Sequence, residues 1–314
     1  LSRYLRSLFP ASERRLTRAG FVALAGRPNV GKSTLVNAVV GAKVAIVSNR
    51  VQTTRRAIRG VHTEEESQLV LVDLPGVQRP QDALTARMAR RVREELEGAD
   101  GALLILSGKQ GVGPGDRFIA RTLEELGAHQ ASRLPVAIAV NKIDRLTRAG
   151  TLVALGEAAA LGLEGEVFPI SARTGAGVEE LVGHLKEMLP ESPFLFDADT
   201  RSDQPLQLLA GELIREAAVR RTFHELPHAV EVVVEELESV RADLVRIRAM
   251  IWVESASQKG IVIGARGRMI KAIGSAAREA LERELECSVH LDLSVRVRRD
   301  WRRDDGLLDR LGII

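Results

Sequence analysis

A single cysteine, Cys287, stands in the 314 residues. A lone thiol closes no internal disulfide, which excludes a disulfide-stapled secreted fold and suits a reducing cytoplasm. Cys287 lies in an apolar helix-to-strand passage and reads as buried and inert. No apolar run approaches the ~20 residues of a membrane-spanning helix, so no integral membrane protein is expected. Residues 1–20 lack the continuous apolar core and small-residue cleavage site of a secretory signal. They carry Arg3, Arg6, Arg14, Arg15 and Arg18 against one acid, Glu13, and read as a basic extension open to weak RNA or membrane-surface contact. A bulk excess of one charge is also missing. Lys and Arg number 45 against 42 Asp and Glu, a formal net charge of +3, too small to argue for a nucleic-acid partner. The histidines, His224, His228 and His290 among them, have no metal-ligand spacing and read as surface or packing residues.

What is present begins with length, since 314 residues exceed what one compact core usually accommodates and make two domains the default. The first is organised by Gly26-Arg27-Pro28-Asn29-Val30-Gly31-Lys32-Ser33, a Walker A pattern. An apolar strand, Phe21 to Ala25, precedes it and a helix follows, the context the motif needs. Backbone N–H groups of such a loop converge on phosphate at a helix N-terminus. Lys32 would reach the β- and γ-phosphates and the Ser33 hydroxyl would ligate Mg2+, with Gly26, Asn29, Val30, Gly31 and Thr34 in the same cradle. Asp73-Leu74-Pro75-Gly76 closes a later strand. Asp73 there can hold Mg2+ through water, and the Gly76 N–H can meet the γ-phosphate. Asn141-Lys142-Ile143-Asp144 closes another. The Asp144 carboxylate can accept from the N1–H and exocyclic amine of guanine, a donor pair adenine lacks, so GTP is favoured over ATP. Asn141 would tie loops together, the Lys142 stem would cover the base, and Ser171-Ala172 would present the Ala172 N–H to the guanine carbonyl. Between them, Gln52-Thr53-Thr54-Arg55 can place a threonine on Mg2+ when the γ-phosphate is present.

Strands alternate with helices from residue 21 to 193, which predicts a mostly parallel sheet with helices on both faces. Residues 194–204 read as a linker. From 205 to 314 the pattern becomes helix, two strands, two helices, strand, with Val289, Leu291, Leu293, Val295 and Val297 alternating onto one face. Gly264-Ala265-Arg266-Gly267, between the last two helices, lets backbone approach phosphates closely, and Arg266, Arg268 and Lys271 add charge. Ile261, Ile263, Met269, Ile270 and Ile273 would hold those helices on the sheet and line a groove. The terminal run Arg296 to Arg303 offers cations, and Trp301 reads equally as a stacking platform or as a packed anchor.

Gly-Arg-Pro-Asn-Val-Gly-Lys-Ser-Thr, Gln-Thr-Thr-Arg, Asp-x-Pro-Gly, Asn-Lys-x-Asp and Ser-Ala-x, in this order, resemble the Era family of bacterial GTPases, and Gly-x-x-Gly resembles the loop of a KH domain. The resemblance runs from about Phe21 to the C-terminus. It implies an α/β P-loop GTPase domain followed by a smaller α+β type II KH domain. It also implies Lys32, Thr54 and Gly76 as catalytic residues, and Ser33, Thr54 and Asp73 on Mg2+; Thr54 rather than Thr53 rests on the resemblance. The implied RNA site is Gly264, Ala265, Arg266, Gly267, Arg268 and Lys271. The implied partner is the 3′ end of small-subunit (16S) rRNA during assembly of the 30S subunit. A monomer in the cytoplasm is expected, with peripheral contact to the inner membrane as a secondary implication. Leu74 departs from the family's more usual Thr, at a packing position. Val77 stands where Ras-like enzymes place a water-orienting glutamine, so slow intrinsic hydrolysis is expected and no general base is assigned. In some relatives the counterpart of Asn29 helps hold K+; a plain loop hydrogen bond is the alternative. Two other classes, a metabolic phosphotransferase and a non-catalytic RNA scaffold, fit poorly with an intact Asn141–Asp144 motif and an intact Lys32, Ser33, Asp73 set. A tandem-G-domain GTPase would need a second Walker A.

Overall fold

A strand buried on both faces must be apolar throughout. Gly101–Ser107 meets that demand with Gly-Ala-Leu-Leu-Ile-Leu-Ser, all seven residues buried. In the computed structural model, which describes residues 17–47, 54–77, 82–129, 134–222, 226–241, 243–311 and 313, this segment is β4. The others in the first sheet are β1 (Arg18–Ala25), β2 (Ile58–Thr63), β3 (Ser67–Asp73), β5 (Val136–Asn141) and β6 (Val167–Pro169). Their order is β2-β3-β1-β4-β5-β6, parallel except for β2 against β3. β1 starts at Arg18, inside the stretch expected as an extension, because Arg18 registers with Ser67 of β3. The rest of that extension, with Arg3, Arg6, Arg14 and Arg15, lies outside the described residues.

Alternate residues of the strands feed two cores. Val22, Leu24, Leu69, Leu71, Leu103 and Ile105 face α1 (Lys32–Val40) and α5 (Val178–Glu187). Ala23, Val72, Ala102, Leu104, Ile138 and Val140 face α2 (Ala83–Glu97), α3 (Pro114–His129) and α4 (Arg148–Ala159). Leu74 is fully buried in the second core, which explains why an apolar side chain serves there. The stretch after Pro193 is strapped to the sheet. Gln68, itself buried, accepts from the Leu195 and Phe196 N–H groups at 2.7 and 2.9 Å and donates to the Phe196 carbonyl.

The second unit has α6 (Leu206–Arg221), α7 (Leu226–Ala229), β7 (Glu231–Arg241), β8 (Leu244–Val253), α8 (Ala256–Ile263), α9 (Arg268–Leu285), β9 (Ser288–Val297) and α10 (Asp305–Arg310). β8 is central, antiparallel to β7 and parallel to β9. α6, α8 and α9 cover one face of this sheet through Leu213, Ile214, Val262, Ile273, Ala277 and Leu281. Ile261 does not join them. It is 51 % exposed while Val262 is fully buried, because the α8 register turns Val262 rather than Ile261 onto the sheet. Gly260 lies inside α8.

The two units share a core. Leu84 and Met88 of α2 pack with Met250, Trp252, Trp301, Leu308, Leu311 and Ile313. Trp301 is fully buried and its indole N–H donates to the Ala229 carbonyl at 3.0 Å. It is therefore an anchor, and the stacking alternative is removed. Arg302 is also committed, to Glu254 at 2.9 Å. Among the histidines, His290 is exposed, while His224 and the His228 side chain lie outside what is described. No helix among the described residues is long and apolar enough to cross a membrane.

Candidate functional site

The carboxyl ends of β1, β3, β5 and β6 meet at one edge of the sheet, where parallel sheets bind ligands. Gly26 follows β1 with its Cα facing the Ile105 carbonyl, which a Cβ would meet at 2.6 Å. Asn29 takes φ 62° and Gly31 φ 108°, so the loop turns back and α1 starts at Lys32 with its N–H groups aimed out of the sheet. Lys32 is buried, and its ammonium donates to the Gly26 and Arg27 carbonyls at 3.1 and 3.2 Å. Burial pulls its pKa down to about 8, against a raising effect from Asp73.

Ser33, Thr54 and Asp73 converge. The Ser33 hydroxyl donates to Asp73 Oδ2 at 2.5 Å and lies 3.1 Å from the Thr54 hydroxyl, which is 3.3 Å from the same carboxylate oxygen. Asp73 Oδ1 is buried and takes no hydrogen bond. Burial pushes the Asp73 pKa up, while Lys32, Ser33 and Thr54 oppose that rise and Glu212 adds to it. Three hard oxygen donors around an orphaned carboxylate oxygen suit Mg2+. Gly76 passes so near Pro28 that a Cβ would stand 2.7 Å from the Pro28 nitrogen. Thr53 and Gln52 lie outside the described residues.

Asn141 works as a three-way tie: it donates to the Val30 carbonyl at 2.9 Å and accepts from the Lys142 and Ala172 N–H groups at 2.7 and 3.0 Å. It thus joins the phosphate loop to both base-side loops. The Ala172 N–H, expected to face the guanine carbonyl, is directed at Asn141 instead. Lys142 adopts φ 70° and its ammonium bonds the Asn29 carbonyl. Asp144 accepts from the Ser171 hydroxyl at 2.7 Å and pairs with Arg173 at 2.6 Å. Ser171 first, and Arg173, hold its pKa below the usual carboxylate value. Sequence reasoning missed Arg173 at this carboxylate. It also missed Arg27, which braces the loop by bonding Asp116 at 2.9 Å and the Gly111 carbonyl at 3.0 Å. An acid inside the first turn of α3 was the available signal, though only the fold brings it to Arg27.

In the second unit the glycine loop joins α8 to α9. Gly264 takes φ 69° and ψ 170°, Arg266 φ 52° and Gly267 φ 73°. Ala265, Arg266, Arg268 and Lys271 are exposed. Beside them a groove of about 330 Å3 is lined by the apolar Ile270, Leu291 and Leu293, the cationic Lys271 and Arg278, and Gly274 and Ser275.

A family model described as a 50S ribosome-binding GTPase matches residues 21–142, and a KH domain model matches residues 225–302. The GTPase Era of Mycobacterium tuberculosis (strain H37Rv) is 42 % identical over 296 residues, covering 94 % of this chain and 98 % of that protein. GTPase Era of Mycobacterium sp. (strain KMS) is 41 % identical over 300 residues, with the same coverage. Among solved structures, a variant of Aquifex aeolicus Era bound to GDP·AlF4− superposes with a TM-score of 0.89 at 36 % identity, over 95 % of this chain and 99 % of that one. An Era in complex with MgGDPNP and nucleotides 1506–1542 of 16S ribosomal RNA superposes with a TM-score of 0.86 at 35 % identity, over the same shares.

Proposed function

The chain belongs to the Era family of GTPases, and we propose that it is a GTP-driven switch that grips the 3′-end region of 16S rRNA during small-subunit assembly. The observation that carries the reading is the full-length likeness to an Era that holds a GTP analogue and 16S nucleotides together. The exposed cations at the glycine loop add to it. The likeness to 50S ribosome-binding GTPases is confined to the first domain; the choice of subunit depends on the RNA module.

In this reading the N–H groups from Val30 to Thr34 and the Lys32 ammonium cradle the phosphates. Ser33, Thr54 and Asp73 hold Mg2+, and the Gly76 N–H meets the γ-phosphate. The metal supplies charge neutralisation between the β- and γ-phosphates. Asp144 selects guanine, exchanging its bond to Arg173 for bonds to the base, while Asn141, Lys142, Ser171 and Ala172 shape the pocket. Val77 packs against the second core and cannot hydrogen-bond the attacking water, which fits slow intrinsic hydrolysis. K+ beside Asn29 would supply charge there, and equal hydrolysis rates in Na+ and K+ would remove it. The cytoplasm is the setting that follows from ribosome assembly. The monomeric state and contact with the inner membrane rest on the resemblance alone.

The experiment is binding of labelled 16S 3′-end RNA, at one stated salt concentration, with GDP, with GDPNP, and with a Gly267→Asp variant. Space around Gly267 is open, so the substitution puts a negative charge at the phosphate clamp at a conformational cost of about 1–2 kcal/mol. Binding favoured by GDPNP and lost in the variant supports the switch. Binding indifferent to both would refute it.

A further inference from the structure

Three consecutive residues connect the two domains. Thr54 sends its hydroxyl to Ser33 and Asp73. The next two send guanidiniums the other way, into the KH domain. Arg55 is buried and donates to the Val230 carbonyl at 2.8 Å and to Glu231 Oε2 at 2.5 Å, with its guanidinium 5.2 Å from the Trp301 ring centroid. Arg56 donates to Glu212 Oε1 at 3.1 Å and to the Leu311 carbonyl at 2.9 Å, and approaches Glu231 Oε1 at 3.5 Å. Glu212 is further locked by Arg215 at 2.6 Å, both buried. Burial alone would raise the Glu231 pKa, but Arg56, Arg55 and Arg215 hold it at about 2, so it stays ionised.

We propose that Arg55 is a positioning residue through which Glu231 of the KH domain holds the Thr54 hydroxyl at the metal site. A buried, multiply bonded ion pair adds little net stability compared with an apolar filling, yet it specifies one geometry. Here the geometry it specifies is that of the backbone adjoining Thr54, from which the Thr54 hydroxyl reaches Asp73. The GTPase site is thus completed by the second domain. The inference rests on the reading of Thr54 as a Mg2+ ligand in the GTP state.

The test uses the full-length chain without RNA. Binding of a fluorescent GDPNP analogue is titrated against Mg2+, with single-turnover GTP hydrolysis and GDP affinity measured alongside. Arg55→Lys, Glu231→Gln, Thr54→Ala and the Thr54→Ala/Glu231→Gln pair are compared with the parent. Lysine keeps the charge at position 55 but loses the forked contact to Val230 and Glu231. Arg55→Lys and Glu231→Gln are each expected to raise the half-saturating Mg2+ and slow hydrolysis by about tenfold, within the range for a slightly misplaced group. GDP affinity should stay within about twofold, because that complex has no γ-phosphate to recruit Thr54. The double variant should be no worse than Thr54→Ala alone, since Glu231 acts through Thr54. A merely structural role would lower GDP affinity and stability together and leave the Mg2+ midpoint unmoved, which overturns the proposal; if Glu231→Gln fails to fold, Arg55→Lys decides alone. Normal Mg2+ dependence in folded Glu231→Gln and Arg55→Lys, with Thr54→Ala impaired, also overturns it while sparing the assignment of Thr54. Normal behaviour in Thr54→Ala overturns both.

Discussion

Trp301 offers the sharpest perturbation, because two readings of it make opposite demands. As an RNA platform it would be exposed and dispensable for folding; in the structure it is fully buried between α2, α10 and the KH sheet. A tryptophan side chain buries about 150–250 Å2, and at about 25 cal/mol per Å2 that amounts to roughly 4–6 kcal/mol. Large-to-small changes of this kind are measured at about 3–5 kcal/mol, so Trp301→Ala should fall there. Trp301→Phe isolates the polar part. It keeps most of the apolar surface but leaves the Ala229 carbonyl without its 3.0 Å donor, at about 1–3 kcal/mol. Part of the Arg55 contact at 5.2 Å would go as well, at about 0.5–2 kcal/mol. Urea unfolding followed by fluorescence reads both, since the chain has only two tryptophans and Trp252 remains as the probe. With a slope of about 1–3 kcal/mol per M, the Trp301→Ala midpoint should drop by roughly 2 M and that of Trp301→Phe by about half as much. RNA affinity, measured well below the new midpoints, should change less than about threefold for Trp301→Phe, a shift under 1 kcal/mol. Unchanged midpoints combined with a loss of RNA binding would refute the anchor reading.

Three further outcomes follow from the geometry. Lys32, held at about 8 by burial, should be recharged by bound phosphate. Above pH 8 nucleotide binding then takes up a proton, and GDP affinity should fall about tenfold per pH unit; a flat profile from pH 7 to 9.5 in calorimetry would contradict this. The sign for stability is opposite: between about 8 and 10.5 the unfolded chain holds the extra proton, so the free protein should gain stability as pH rises through that window. Asp144→Asn should weaken GDP by roughly 10- to 100-fold through a lost charged acceptor, and should improve xanthosine diphosphate, whose 2-carbonyl accepts from the new amide; competition binding checks both. Gly264→Ala should lose about 1–3 kcal/mol, because its φ of 69° with ψ of 170° excludes a side chain and a Cβ would meet Met269 at 2.7 Å. Gly267→Ala, with open space around it, should lose about 1–2 kcal/mol, and denaturant melts rank the two.

The chain determined by itself whatever depends on local order. Period-two and near-continuous apolar runs placed the strands, because a buried parallel strand has little freedom to be polar. The Walker A stretch, Asp73 and Asn141–Asp144 were legible as motifs, and the structure sets all three at the carboxyl ends of strands. Val262 replacing Ile261 at the KH core turned on helix phase, which a two-residue apolar choice leaves open. The domain junction was not legible at all. Arg55, Arg56, Glu212 and Glu231 carry no motif or spacing that pairs them, and they meet only because chain segments more than 150 residues apart come together. Tertiary contact made those charges buried partners and turned Trp301 into an anchor, since burial and pairing are properties of what packs against a residue, and one-dimensional spacing carries no record of that neighbour.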